Sequence, residues 1–496
     1  MVLQQADSEK GRGMMKMKKW GACCLALMLF LLPLAACKSD GNKPQRTEEE
    51  TSTGKQDPFS EVDLKGDKVT VMCMKEAGGG GSLIDSYNEL YTVENGDIIN
   101  DAIYRRYAAV QENLNCSLNV LSIGSKSNLG TTLRDYNLNG EAEKISSVLI
   151  VGKSLPAIIS TGDLIDLSTV NTVDLSQSWW VQSGVADMTV GGKCYAAPGN
   201  ASVYGLSAMA CIYFNKDILK DNQRDDNLYN DVREGTWTFG RMAELATALA
   251  CELDGQDGTS IDDRIGFVAE YGYLSYLFTA TGKRTISIGE DKKVTVTASD
   301  SATTDFIDQF LTLYTNQAVT KIPVRDYNDD YTLVAKNFMA KKVMFYAHFV
   351  FDALDLRGME GDFGMLPTPK ASTEQKQYYS GVNRWLSSYT VIPRGCSDPE
   401  RGGVIAEALN YYGKAYIREA IYTKSFDSGR SVRDADSIEM FNLIVETQVH
   451  DPGLLLSTTV YDLFSSVAWS GLDTFASSLK KRSDAFAEEM ETIFGQ

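Results

Sequence analysis

The stretch whose reading decides the fold is residues 191–219, GGKCYAAPGNASVYGLSAMACIYFNKDIL. Gly191-Gly192 is a turn signal, and Pro198-Gly199 interrupts an extended run of small and aromatic residues. Cys211-Ile212-Tyr213-Phe214 then reads as a short apolar strand, closed by Asn215-Lys216-Asp217 at a helix start. Before this stretch the chain alternates strands and helices, and after it a second alternation begins. A segment carrying backbone from one α/β unit into another is what a two-lobed protein with a cleft requires.

Working outward, residues 68–74, 117–123 and 147–151 predict three strands of the first unit. Between the first two, Asp97 caps a helix with Ile99, Ile103, Tyr107, Val110 and Leu114 on one face. Alternating strands and helices argue a parallel sheet, whose ligands sit beyond the carboxyl ends of the strands. Lys75, Glu76 and Lys153 occupy those ends. In the second unit, Trp237-Thr238-Phe239 opens a helix that presents Phe239, Met242, Leu245 and Leu249. Strands follow at 264–268, 343–346 and 363–370, with helices at 303–316 and 331–341 between them. The first of these strands runs out at Glu270-Tyr271-Gly272-Tyr273, and the second leads to His348. Asn383-Arg384-Trp385 and residues 390–393 read as a return crossing, after which helices dominate.

The N-terminus reads as a targeting segment. Lys16, Lys18 and Lys19 precede an apolar run over 21–34 and then Leu34-Ala35-Ala36-Cys37. A basic region, a short apolar region and small residues before a cysteine predict a secretory signal over 1–37 with a lipobox. Cys37 would be diacylated, and two acyl chains hold a protein at a membrane where one does so only marginally. Residues 38–66 carry little apolar content and read as a disordered tether. The chain has 48 Lys and Arg against 66 Asp and Glu, a net charge of −18. This balance argues against nucleic acid as a partner.

Six cysteines follow Cys37, none in CxxC spacing or beside a histidine. Buried free thiols are therefore expected rather than a zinc site or a disulfide framework. Gly78 to Gly81 lacks the Lys-Ser/Thr of a P-loop, so no phosphate cradle is expected there. The loop from Asp254 to Gly258 has Gln256 and Asp257 where a calcium loop from Glu252 needs an acid and a glycine. A solvated acidic turn is the reading there. No GxSxG or HExxH occurs, and His348 and His450 are the only histidines. No catalytic residue, metal or cofactor is expected.

Seven pieces, in order, resemble the extracellular solute-binding lipoproteins of ABC importers, in the maltose-binding-protein-like cluster. They are NGDIINDAIYRRYAAVQENLNCSLNV, DLSQSWWVQSGVADMTVGGKCYAAPGN, CIYFNKDIL, GTWTFGRMAELATAL, DDRIGF, FMAKKVMFY and LRGMEGDFGMLPTPK. Asn200 departs from the pattern, where an acidic residue is expected. The resemblance implies an α/β, type II periplasmic-binding-protein fold with two lobes, a hinge and a ligand cleft. It places residues 67–205 plus 390–448 in lobe 1 and 206–389 plus 449–496 in lobe 2. It also implies a monomer on the outer face of the cell membrane that hands a small solute, a sugar or oligosaccharide, to a permease. The alternative is an extracellular glycosidase, for which two suitably spaced carboxylates would suffice.

The candidate ligand contacts are Lys75, Glu76, Lys153, Tyr204, Glu270, Tyr271, Tyr273, Tyr346, His348 and Trp385. Aromatic faces suit the CH surface of a sugar, and planar polar groups suit its hydroxyls. Tyr273 and Trp385 are expected to face the crevice, and Trp179 to hold the crossing segment. On the lipobox reading, Cys37→Ala releases the protein from membranes or leaves it unprocessed. Processed mutant protein retained in the membrane fraction would contradict that reading.

Overall fold

A computed structural model of the chain describes residues 57–74, 87–123, 128–256, 258–270, 272–288, 294–298, 300–426 and 435–494. Cys37, Lys75, Glu76, Tyr271 and the run from Gly78 to Gly81 lie outside the described residues. Among the described residues the strands are β1 (Asp67–Met74), β2 (Cys116–Ile123), β3 (Ile145–Val151), β4 (Ala210–Asn215), β5 (Ile265–Ala269), β6 (Ile286–Ile288), β7 (Val294–Val296), β8 (Thr320–Lys321), β9 (Val343–Phe349), β10 (Phe363–Pro367), β11 (Ser380–Gly381), β12 (Ser388–Val391) and β13 (Gln448–Val449).

Two mixed sheets form the two lobes. The first has the order β12-β3-β1-β2, with β1 parallel to β2 and β3, and β12 antiparallel on the edge. The second has the order β10-β4-β9-β5-β8, with β9, β5 and β8 parallel and β4 antiparallel between β10 and β9. β3, β4 and β9 are buried at every position. Strands covered on both faces carry continuous apolar runs, which is how ISSVLIV, ACIYFN and VMFYAHF read.

The helices form where capping and periodicity place them. Asp97 accepts from the amides of Ile99 and Asn100 and opens the helix Ile98–Leu114, which buries Ile99, Ile103, Val110 and Leu114. Thr238 accepts from Arg241 N and opens Phe239–Leu249, burying Phe239, Met242, Leu245 and Leu249. Each cap satisfies an amide that the first turn leaves unpaired.

Two segments cross between the sheets side by side and antiparallel. Ala197 pairs with Thr390, and Met209 with Val382. Asn383 N donates to Ala208 O at 2.9 Å, so the crossings share backbone hydrogen bonds along their length.

Three expectations need correction. Residues 57–66 are not a loose tether. Phe59 is 7% exposed and packs on Tyr411 and Tyr412, while Leu64 N donates to Leu114 O at 2.8 Å. Phe59, Val62 and Leu64 anchor the segment to the first lobe despite its polar composition. The helix Ala435–Glu446 packs on β10 of the second sheet rather than in lobe 1, so the chain leaves the first lobe before residue 435. The C-terminal helix Thr458–Phe494 serves both lobes, touching Leu155–Ser160 as well as Tyr273–Ala280 and Ser301–Tyr314. It bends at Gly471, whose φ of 75° is open to glycine at little cost.

Cys73, Cys194, Cys211 and Cys396 are buried free thiols, Cys116 is half-buried and Cys251 is exposed. Among the described residues no helix is long and apolar enough to cross a membrane.

His450 is sealed beneath the crossings. Its Nδ1 lies 2.8 Å from the Tyr389 hydroxyl and its Nε2 3.0 Å from Gln448 Oε1. Burial, with Arg284 nearby, pulls its pKa down to about 3. A depressed histidine contributes stability above its unfolded value of about 6.5 and loses it as pH falls toward the folded value. Between pH 7 and 5, urea unfolding of wild type should therefore lose ground against His450→Gln. The advantage should shrink by about 1.4 kcal/mol per pH unit below about 6.5. A constant difference would show that His450 is not held neutral.

Candidate functional site

The carboxyl ends of β3 and β5 both run toward the crossings, and the site is built there. Gly152 N donates to Ser387 O at 2.9 Å and Lys153 N to Arg384 O at 2.8 Å, docking the end of β3 on the return crossing. Position 152 is tight for a side chain. A Cβ would stand 3.1 Å from the Tyr389 ring and 3.3 Å from Arg384 O.

Lys153 Nζ then lies 3.7 Å above the centre of the Trp385 indole. Burial and the neighbouring Arg384 charge lower the Lys153 pKa. Trp385 is half-buried; its main-chain N–H donates to Asn383 Oδ1 at 2.8 Å and its Nε1 to the Tyr461 hydroxyl at 3.4 Å. The Arg384 guanidinium sits 5.0 Å from the Tyr461 ring and donates to the carbonyls of Leu454 and Ser457. The return crossing thus fixes the C-terminal helix whose Tyr461 borders Trp385.

From Tyr461 the site continues into the second lobe. A Cβ on Gly272 would come within 3.4 Å of the Tyr461 hydroxyl and 3.6 Å of Glu270 Oε1, so these groups meet around one glycine. Glu270 follows the last residue of β5, and its Oε2 accepts from the Tyr331 hydroxyl at 3.3 Å. Burial raises the Glu270 pKa above the ordinary carboxylate value. The Tyr331 ring lies 4.9 Å from His348, on which Tyr346 stacks at 5.3 Å and 12°. His348 Nδ1 is 2.5 Å from Asp352 Oδ2.

The structure divides the sequence candidates. Lys153 meets Trp385, which meets Tyr461, while Tyr331 joins Glu270 to His348, and the two groups approach one another around Gly272. Tyr346 supports His348 from below and is 1% exposed. Tyr204 is buried, its hydroxyl donating to Tyr87 O at 2.6 Å. Tyr273, expected at the crevice, lies within the core. Its hydroxyl donates to Cys211 O at 2.6 Å and His348 O at 3.0 Å, bridging β4 and β9. It follows a strand end but opens the helix Tyr273–Ala280, and the first helical turn carries the ring inward. Trp179 and Trp180 both donate their Nε1 to Glu407, and Asn200 Nδ2 donates to Trp179 O at 2.6 Å. They secure the outgoing crossing.

Tyr331, Asp352 and Tyr461 were not singled out in the sequence. Each lies on a helix, and no local pattern separates it from other helical positions. The Asp254 loop closes on itself. Asp263 accepts from the amides of Leu253, Asp254 and Ser260, and Ser260 Oγ donates to Asp254. Among the described residues no cluster has the composition of a metal site.

No family model and no curated protein matches the chain by sequence. Solved structures do match by shape. The sugar-binding protein MalE from Xanthomonas citri superposes with a TM-score of 0.58 at 14% identity, over 86% of this chain and 99% of that one. A sugar transporter from Rhizobium etli, in an open conformation, gives 0.57 at 12% identity over 86% and 99%. An ABC substrate-binding protein from Listeria monocytogenes, in complex with cycloalternan, gives 0.55 at 13% over 86% and 99%. The chain has the two-lobed fold of maltose-binding-protein-like ABC substrate-binding proteins.

Tyr273→Phe removes the donor shared by two buried carbonyls and should cost about 1–3 kcal/mol of folding stability in urea unfolding. Unchanged stability would contradict the core placement of this hydroxyl.

Proposed function

We propose that the protein captures a carbohydrate in the site between its lobes and delivers it to an ABC transporter permease. The observation that carries this reading is the half-buried Trp385 indole, held at its edge by Tyr461, with Lys153 on one lobe and Glu270 on the other. An indole face suits the CH surface of a pyranose, and flanking charged and hydroxyl groups suit its OH groups. The matched structures are sugar-binding proteins, and their shared fold supports the same ligand class here. The segment before residue 57 supports lipid attachment through Cys37, which keeps the captured solute beside the membrane. A binding role suits the carboxylates better than hydrolysis. Glu270 and Asp352 both belong to the second lobe and engage Tyr331 and His348, whereas a glycosidase needs two that flank the scissile bond.

Thermal-shift screening of the mature protein against maltose to maltotetraose, cellobiose, xylobiose and cyclic glucans tests the reading. A bound sugar at a hundredfold excess over Kd should add about 2.7 kcal/mol of apparent stability. Trp385→Ala should then cost about 2–4 kcal/mol of binding while the protein still folds. No shift with any carbohydrate, or full affinity in Trp385→Ala, would contradict it.

A further inference from the structure

The second-lobe end of the site contains a pair that the binding reading does not itself require. His348 is 7% exposed and Asp352 5%, and they meet through Nδ1 and Oδ2 across the turn that joins β9 to the helix Asp352–Leu356. The imidazole is clamped between the rings of Tyr331 and Tyr346, with Phe349 and Phe351 at 4.8 and 5.5 Å. Its rotation is therefore fixed. With Nδ1 committed to Asp352, Nε2 is the one polar edge left, and it has no partner among the described residues.

Which role Nε2 takes depends on one proton. In the neutral ring Nδ1–H donates to the carboxylate and Nε2 accepts; in the charged ring Nε2–H also donates. The groups facing the ring favour the charged form. Asp352 and Asp355 approach from the helix Asp352–Leu356, Glu270 from the end of β5, and Cys211 is the register partner on β4. Tyr331 and Tyr346 offer only their ring faces. Burial works against the charge, but Asp352, Glu270 and Asp355 outweigh it, and the His348 pKa is raised.

We infer that Asp352 and His348 are specificity-determining residues of the carbohydrate site, presenting a charged Nε2–H donor to an acceptor oxygen of the ligand. The inference rests on the proposed binding function and adds to it a ligand requirement and a regulation. The ligand must carry an acceptor where His348 reaches it, and losing the proton turns a donor facing that oxygen into a second acceptor. Affinity then falls as pH rises. Glu270, by contrast, offers an acceptor to ligand hydroxyls, so the two side chains read opposite hydrogen-bonding character.

Because the chain holds only two histidines, the test is direct. Imidazole ¹⁵N NMR of the sugar-free protein should show His348 titrating above the ordinary value of about 6.5 while His450 stays silent. Calorimetry with the sugar giving the largest thermal shift should show affinity falling about ten- to hundredfold above that midpoint. His348→Gln should bind more weakly and without this pH dependence. Asp352→Asn keeps the ring and should move the midpoint to lower pH. An imidazole titrating at or below about 6.5, or wild-type affinity flat from about pH 6 to about 9 while Trp385→Ala abolishes binding, overturns the inference and leaves the site standing. Flat affinity with Trp385→Ala still binding, or no carbohydrate binding at all, removes the site reading and this inference with it.

Discussion

One buried carboxylate holds the two crossings together. Glu89 is fully buried; its Oε1 accepts from Ser202 Oγ at 2.7 Å and Ser388 Oγ at 2.8 Å, and its Oε2 from Val203 N at 2.9 Å. Ser202 and Val203 belong to the outgoing crossing and Ser388 to the return, so a single side chain ties both. Arg106, equally buried, donates to the carbonyls of Glu89 and Ala201 and supplies the nearby positive charge. Burial raises the Glu89 pKa even so. A buried charged pair is weak evidence for stability, because desolvation offsets the attraction. Its clearer effect here is geometric, since every bond it makes fixes the position of one crossing against the other.

The site depends on that geometry. Trp385 lies three residues before Ser388 on the return crossing, and Gly152 lets the end of β3, with Lys153, come close to the same segment. Arg384 extends the arrangement to the C-terminal helix and so sets Tyr461 beside the indole. Lys153, Trp385 and Tyr461 come from three distant parts of the sequence and meet at one short stretch of backbone. Hinge closure in two-lobed proteins is absorbed by a few residues of such crossings. On the proposed function, an aromatic on the crossing itself sits between the lobes, where either one can bring polar groups to the ligand.

Most of the fold was legible because its signals are local. Apolar runs such as VMFYAHF, and caps such as Asp97 and Thr238, declare their structure within a few residues. The crossing segment was readable from Pro198-Gly199 and the strand that follows. The rule for parallel sheets makes strand-end positions candidates, and those of Lys153 and Glu270 followed from the alternation of strands and helices. Tyr273 did not, because a strand end shows where the chain turns and not which way the next ring points. Tyr461, Tyr331 and Asp352 were hidden for a related reason: helical residues enter a site through tertiary packing that no short window contains. The tether misled through its average composition, which concealed three well-spaced apolar anchors.

A crystal structure of the mature protein bound to a carbohydrate tests the central claim most directly. The account predicts a sugar ring against the Trp385 indole, with Lys153 and Glu270 within hydrogen-bonding reach of it from opposite lobes. A sugar bound away from Trp385, with Lys153 still resting on the indole, would contradict it.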